Sequence, residues 1–478
     1  MLLALVFFYL LVTIAIGLWA AKRVKNTSDF AIAGRHLPLV MIITTTFATW
    51  FGSETVLGIP AKFVSGGLGS VVEDPFGAGT CLILVGLFFA AKLYRMTLLT
   101  ISDYYRARYG RTVEVACSVI IILSYLGWVS AQVTALGLVF NLLSAGQISI
   151  ELGMIIGTVS ILAYTLFGGM WSVAVTDFVQ MIILVVGLLI IAVFASQQAG
   201  GADKVIALAA SKDLFNFLPE PSFNEIVFFI GAAITMMFGS IPQQDVFQRV
   251  MSAKDEYAAT RGPVIGGVCY ILFAFVPMFL VVSALIIMPE QAQALLTEDP
   301  QKVLPTLVLE HMPFAMQVIF FGALLSALKS TASATLLAPS VTFVENIWRQ
   351  FVPRMSDRQE LRDMRIATLV FSACVCAYAI AMQGTSIYEL VSGAYQIPLV
   401  GAFVPLVAGL FWKRATTQGA VFAIVLGLLT WLMFLATPAG EVFPAQLAGL
   451  IAAAVGMVVG SLGPQALANR HDPVTLGH

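Results

Sequence analysis

Apolar residues in this chain come as runs of about twenty or more, separated by short polar stretches. A run of that length, coiled at 1.5 Å per residue, matches the roughly 30 Å hydrocarbon core of a bilayer. The pattern therefore predicts an all-α polytopic membrane protein. Thirteen spans are expected, over 2–20, 38–63, 72–94, 112–143, 150–168, 173–196, 224–242, 263–288, 314–346, 365–383, 389–412, 417–436 and 445–466. The first starts at Met1 without a basic leader or a small-residue cleavage site, and reads as a retained helix rather than a signal peptide.

Two spans are interrupted in mid-course. The second reads TTTFATWFGSETVLGIPAKF, with Gly52, Ser53, Glu54 and Pro60 inside it; the seventh reads AAITMMFGSIPQQDVFQR, broken at Gly239, Ser240 and Pro242. Both carry Phe-Gly-Ser, at 51–53 and 238–240. Broken helices at matching positions of two halves point to a binding site near the bilayer midplane, because unwound turns free carbonyls and half-helix ends to hold ions and polar solutes.

The ninth span carries the strangest residue. Lys329 lies about 15 residues, or some 22 Å, from either end of the apolar run 314–348, too deep for its side chain to reach an interface. An unpaired charge there costs at least about 2.5 to 3.5 kcal/mol, so a partner inside the protein is expected. At about 100° per residue, Ser326, Lys329, Ser330 and Ser333 share one arc of the helix. Such a stripe is either helix-to-helix glue or the wall of a polar pathway. Pro339 predicts a bend just beyond it.

Composition supports this frame. The chain of 478 residues is 59% hydrophobic and only 11% charged, with a mean hydropathy of +0.93. The five cysteines lie in apolar runs and make no metal-ligand spacing with the four histidines, and no GxxxxGK[ST] loop is present. Of the 25 basic residues, all but Lys62, Lys204, Lys212, Lys302 and Lys329 fall in the loops that are cytoplasmic if the N-terminus is outside. The positive-inside rule then gives N-out and C-in.

Other polar residues within the spans are candidates for the same site. Glu54, at the first break, is a hydrogen-bond acceptor for a solute or a local cap. Asp177 is an interfacial cap or, if deeper, the natural counter-charge to Lys329. Gln132 is a buried amide that needs partners. Trp50, Phe51, Trp128 and Phe238 lie near the breaks, where aromatic rings pack or gate, while Asp245, Gln248 and Arg249 are expected to brace the seventh span.

The stretches SDFAIAGRHLP (28–38), AYTLFGGMWSVAVTDFVQ (163–180), PQQDVFQR (242–249), LLSALKSTASATLLA (324–338) and GAFVPLVAGLFWKRATTQGA (401–420) together resemble the sodium:solute symporter family over nearly the whole chain. The resemblance implies a leucine-transporter-like fold: a single transporter domain over 1–478, with a peripheral first helix and inside loop (1–37), a first repeat (38–196), an inverted second repeat (224–412) and two peripheral helices (417–466). It implies secondary active uptake of a small polar organic solute across the cell membrane, without a chemical step and with no nucleic acid or obligatory protein partner. A solute sensor is the alternative reading.

Carried over by position, the resemblance implies a sodium site made by the carbonyls of Ala48, Phe51 and Ala327 and the hydroxyls of Ser330 and Thr331. A second cation position would draw on Asp177, Ser330 and Ser333, with Ala334 where a further hydroxyl is expected; the solute would lie near Ser53, Glu54, Gln132 and Phe238. Lys329 departs from the family, whose members usually carry an apolar residue there. An ammonium about 4 Å from sodium would repel it by about 4 kcal/mol at an effective dielectric near 20. Two readings follow: Lys329 replaces the cation and couples transport to protons, or it pairs with Asp177 and sodium binds beside them.

Overall fold

A computed structural model describes residues 1–352 and 354–467; Arg470, one of the basic residues behind the expected orientation, lies outside them. Among the described residues the chain is all helix, with one isolated bridge between Leu37 and Ala253. Ten helices are long and apolar enough to cross a membrane, eleven when the pair Phe223–Gly239 and Gln244–Ser252, bent by 44°, counts as one. The expected thirteen is reached only by counting two further features.

One is the interrupted segment Leu39–Trp50 followed by Ile59–Ser70, separated by a short π-turn from Glu54 to Gly58. The other is Ile150–Gln198, whose 49 residues would extend about 73 Å if straight, more than twice the hydrocarbon core. Gly169 divides it, at φ 46° and ψ −140°. A side chain there would collide with the Phe30 carbonyl, so the break needs glycine.

Helix starts follow local rules. Ser149, Ser222, Asp255, Ser356, Ser386 and Thr416 each accept a hydrogen bond from a backbone N–H in the first turn of the helix they precede.

The Phe314–Gln350 helix runs through the middle of the bundle, packed against Leu2–Ala21, Leu39–Trp50, Arg111–Leu143 and Ile150–Gln198. It stays helical through Pro339 to Thr342 before a π-turn. Within that turn Asn346 ties the helix end to two neighbouring helices: its carbonyl accepts from Thr100 Oγ1 at 2.8 Å, and its amide donates to Asp103 Oδ1 at 2.8 Å and Glu114 Oε1 at 2.9 Å. Asp103 belongs to the short helix Ile101–Tyr109 between spans. Burial first, and then the charge of Glu345, lifts its carboxyl to about 6.

Candidate functional site

The break after Trp50 brings two groups of polar residues together. Because the helix stops there, the carbonyl of Ala48 receives no backbone N–H; among the described residues it accepts only the Thr331 hydroxyl, at 3.4 Å. Phe51, at φ −88° and ψ 69°, has left helical geometry. Across from it Ser330 Oγ donates to Asp177 Oδ1 at 2.6 Å, and Thr45 Oγ1 donates to Asp177 Oδ2 at 2.5 Å. Ala48, Phe51, Ala327, Ser330, Thr331 and Asp177 are all at most 2% exposed. Carbonyl, hydroxyl and carboxylate oxygens without sulfur or imidazole suit a small hard cation. Among the described residues no cluster of three His, Cys, Asp or Glu suits a transition metal.

Ser333 lies one turn on, buried, but its hydroxyl bonds back to the Ser330 carbonyl at 3.0 Å. Arg249, expected to brace the seventh span, also reaches across to the second: Nε donates to the Thr45 carbonyl at 3.2 Å and Nη2 to the Thr49 hydroxyl, while Nη1 lies 3.7 Å from Asp245 Oδ2 on its own helix.

Lys329 does not join this group. Its ammonium donates to Thr13 Oγ1 of the first helix at 2.5 Å and lies 5.3 Å from the centroid of the Tyr164 ring. Among the described residues no carboxylate lies within 4 Å of it, so the expected pairing with Asp177 is corrected: Asp177 is fully buried, but its oxygens are taken by Thr45 and Ser330. The reason is the helical repeat. Lys329 and Ser330 are adjacent and so point about 100° apart. The polar stripe therefore serves two neighbours, with Ser326 bonded to Tyr9 and Lys329 to Thr13 on one side, and Ser330 facing Asp177 on the other.

Three residues further along the break lies the solute candidate. Glu54 is 2% exposed. Its Oε1 accepts from Trp128 Nε1 at 3.1 Å, and its Oε2 from Gln132 Nε2 at 2.7 Å and Ser53 Oγ at 3.3 Å. Gln132 Oε1 in turn accepts the Ser53 N–H at 2.8 Å, so the buried amide uses both ends on the unwound turn. All these donors are neutral, and among the described residues no lysine or arginine nitrogen lies within 4 Å of the carboxylate. Gly52 joins the two groups: a Cβ there would approach Glu54 Oε2, Gln132 Oε1 and Thr331 Oγ1 to within 2.7 to 2.8 Å.

Aromatic rings close around this carboxylate. Trp50, Trp128 and Tyr395 form a triangle with centroids 5.2 to 5.8 Å apart, and Tyr125 stacks on Trp128 at 6.1 Å. Among the described residues, Trp50 Nε1 and the Tyr395 hydroxyl are buried without a hydrogen-bond partner. Phe238 is not part of this triangle; it stacks on Phe403 at 4.9 Å, beside Leu399 and Val400. Tyr395 is the residue sequence reading missed, because its run YELVSGAYQIP carries neither a break nor a charge at that position.

Comparison with known proteins fits this geometry. The family described as "Sodium:solute symporter family" has a model that matches residues 30–427. The high affinity choline transporter 1 of Homo sapiens is 29% identical over 451 residues, covering 89% of this chain and 75% of that protein. The sodium/myo-inositol cotransporter 2 of Sus scrofa is 23% identical over 473 residues, covering 90% and 69%. A solved Na+-coupled sialic acid symporter, substrate-bound and outward-open, superposes with a TM-score of 0.80 at 21% identity, covering 96% of this chain and 97% of that one, so the fold is shared. With its all-helical, leucine-transporter-like architecture, this chain belongs to the sodium:solute symporter family: a multi-pass cell-membrane transporter and not an enzyme.

Proposed function

We propose that this symporter takes up a small organic cation, of the alkyl- or quaternary ammonium class, together with sodium. The observation that carries the reading is Glu54, a buried carboxylate with no cationic partner among the described residues, beside the triangle of Trp50, Trp128 and Tyr395. A desolvated cation held over aromatic faces gains about 2 kcal/mol, and a nearby carboxylate supplies the counter-charge that a neutral solute does not need. The partnerless Trp50 Nε1 and Tyr395 hydroxyl favour a cation that also carries an oxygen. The relative with 29% identity is named a choline transporter, and choline is a quaternary ammonium alcohol.

Sodium would bind to Ala48, Phe51, Ala327, Ser330 and Thr331, with Asp177 as the nearby counter-charge. Support for sodium rather than protons is that Lys329 is engaged with Thr13 and Tyr164, away from Ser330 and Asp177. Gly52, packed between Thr331 and Glu54, makes occupation of one site felt at the other. Transport would follow from the 224–412 repeat moving against the 38–196 repeat around these two breaks, with the N-terminus outside.

The test is uptake of labelled choline into proteoliposomes under an inward sodium gradient, against the same gradient of potassium. Tetramethylammonium should compete, and 3,3-dimethylbutan-1-ol, the uncharged isostere of choline, should not. Equal competition by the uncharged compound overturns the cation reading, and uptake indifferent to sodium overturns the coupling.

A further inference from the structure

A second set of acidic and aromatic residues leads away from Glu54. Thr55 Oγ1 lies 2.9 Å from the Tyr270 hydroxyl, which donates to Asp74 Oδ1 at 2.5 Å. Beside Asp74, Glu73 accepts from Ser392 Oγ at 2.9 Å with one carboxylate oxygen and leaves the other buried and unpaired. One helix turn before Ser392, Tyr388 is 4% exposed, and among the described residues its hydroxyl too has no hydrogen-bond partner. Over the face of this ring, 4.1 Å from its centroid, lies the ammonium of Lys62. Among the described residues no carboxylate oxygen is within 4 Å of that ammonium, so the ring is its direct contact, with Glu73 and Glu389 attracting it from farther off.

From this juxtaposition we propose that the Tyr388 face with Glu73 is an outer subsite for small organic cations, occupied here by the chain's own Lys62 as a tethered competitor. The proposal rests on the organic-cation reading above. A methylated ammonium fits the ring face as the lysine head does and is more weakly hydrated, so it gains more from leaving water. Lys62 is anchored on Ile59–Ser70, directly after the first break, so displacing it frees a ring on the same segment that carries Glu54. The solute would dock first on Tyr388, release Lys62, and pass along Asp74 and Tyr270 towards Glu54.

The experiment measures the thermal shift of the purified full chain against tetramethylammonium concentration. Lys62→Gln should lower the half-saturating concentration about two- to fivefold, the range of an exposed cation–π contact. Tyr388→Leu should weaken the response and cancel the gain from Lys62→Gln in the double variant, whereas Tyr388→Phe, which keeps the ring, should preserve that gain. In a Glu54→Gln background, where the inner site is weakened, the gain from Lys62→Gln should persist. A Lys62→Gln response equal to or weaker than that of a responding wild type overturns the outer subsite alone. Absence of any response in both overturns it together with the cation reading.

Discussion

Glu54→Gln removes one negative charge while keeping the shape of the side chain. A cation held about 4 to 5 Å from the carboxylate loses about 3 to 4 kcal/mol of attraction at an effective dielectric of 20, a factor of several hundred in affinity. The fold pays separately. Glu54 presents two acceptor oxygens, to Trp128 Nε1 and to Gln132 Nε2, whereas glutamine has one carbonyl. Its amide nitrogen must face another donor unless Gln132 flips, and a flip would lose the 2.8 Å bond from the Ser53 N–H. One buried donor is stranded either way, at a cost of about 1 to 3 kcal/mol. The expected outcome is a folded protein with a lowered melting temperature whose choline affinity, read by scintillation proximity in saturating sodium, falls at least a hundredfold. An affinity within about fivefold of wild type, with the fold intact, would refute the role of the carboxylate.

Gly52→Ala should weaken sodium and solute binding together, because the added methyl meets Thr331 Oγ1 on one side and Glu54 Oε2 and Gln132 Oε1 on the other; sodium titrations with and without choline that change for only one ligand would argue against Gly52 as the link. Lys329→Met should leave the sodium requirement of uptake unchanged and the melting temperature no lower, since an apolar side chain replaces a fully buried ammonium that has no carboxylate within 4 Å; a switch to proton dependence would return the lysine to the coupling machinery. Asp103 is held protonated to higher pH in the folded chain, about 6 against an ordinary 3.8. Its stabilising contribution is therefore present below about pH 4 and is lost as pH rises through about 6. Asp103→Asn should gain stability relative to wild type between about pH 4 and 7, and a melting-temperature difference that stays constant over that range would contradict this.

Much of the molecule is legible in its sequence. Runs of about twenty apolar residues leave helices as the only way to satisfy the backbone in lipid, so the spans lie where the pattern ends. The breaks at Phe51–Ser53 and at 240–243 are written in Gly, Ser and Pro, which local chemistry alone can read. Local sequence also brought Ser53, Glu54 and Gln132 forward as candidates, since a polar group in an apolar span demands partners.

What it left open is the choice of partner. One stripe of residues on the 314–350 helix holds Lys329 and Ser330, and only the packed neighbours send the first to Thr13 and the second to Asp177. Tyr395 enters the aromatic triangle, and Phe238 stays out of it, through contacts across more than 150 residues of chain in one case and with Phe403 in the other. Helical periodicity fixes the angle between side chains on one helix. Which helix stands opposite each angle is set by how the whole bundle packs, and that only the tertiary structure decided.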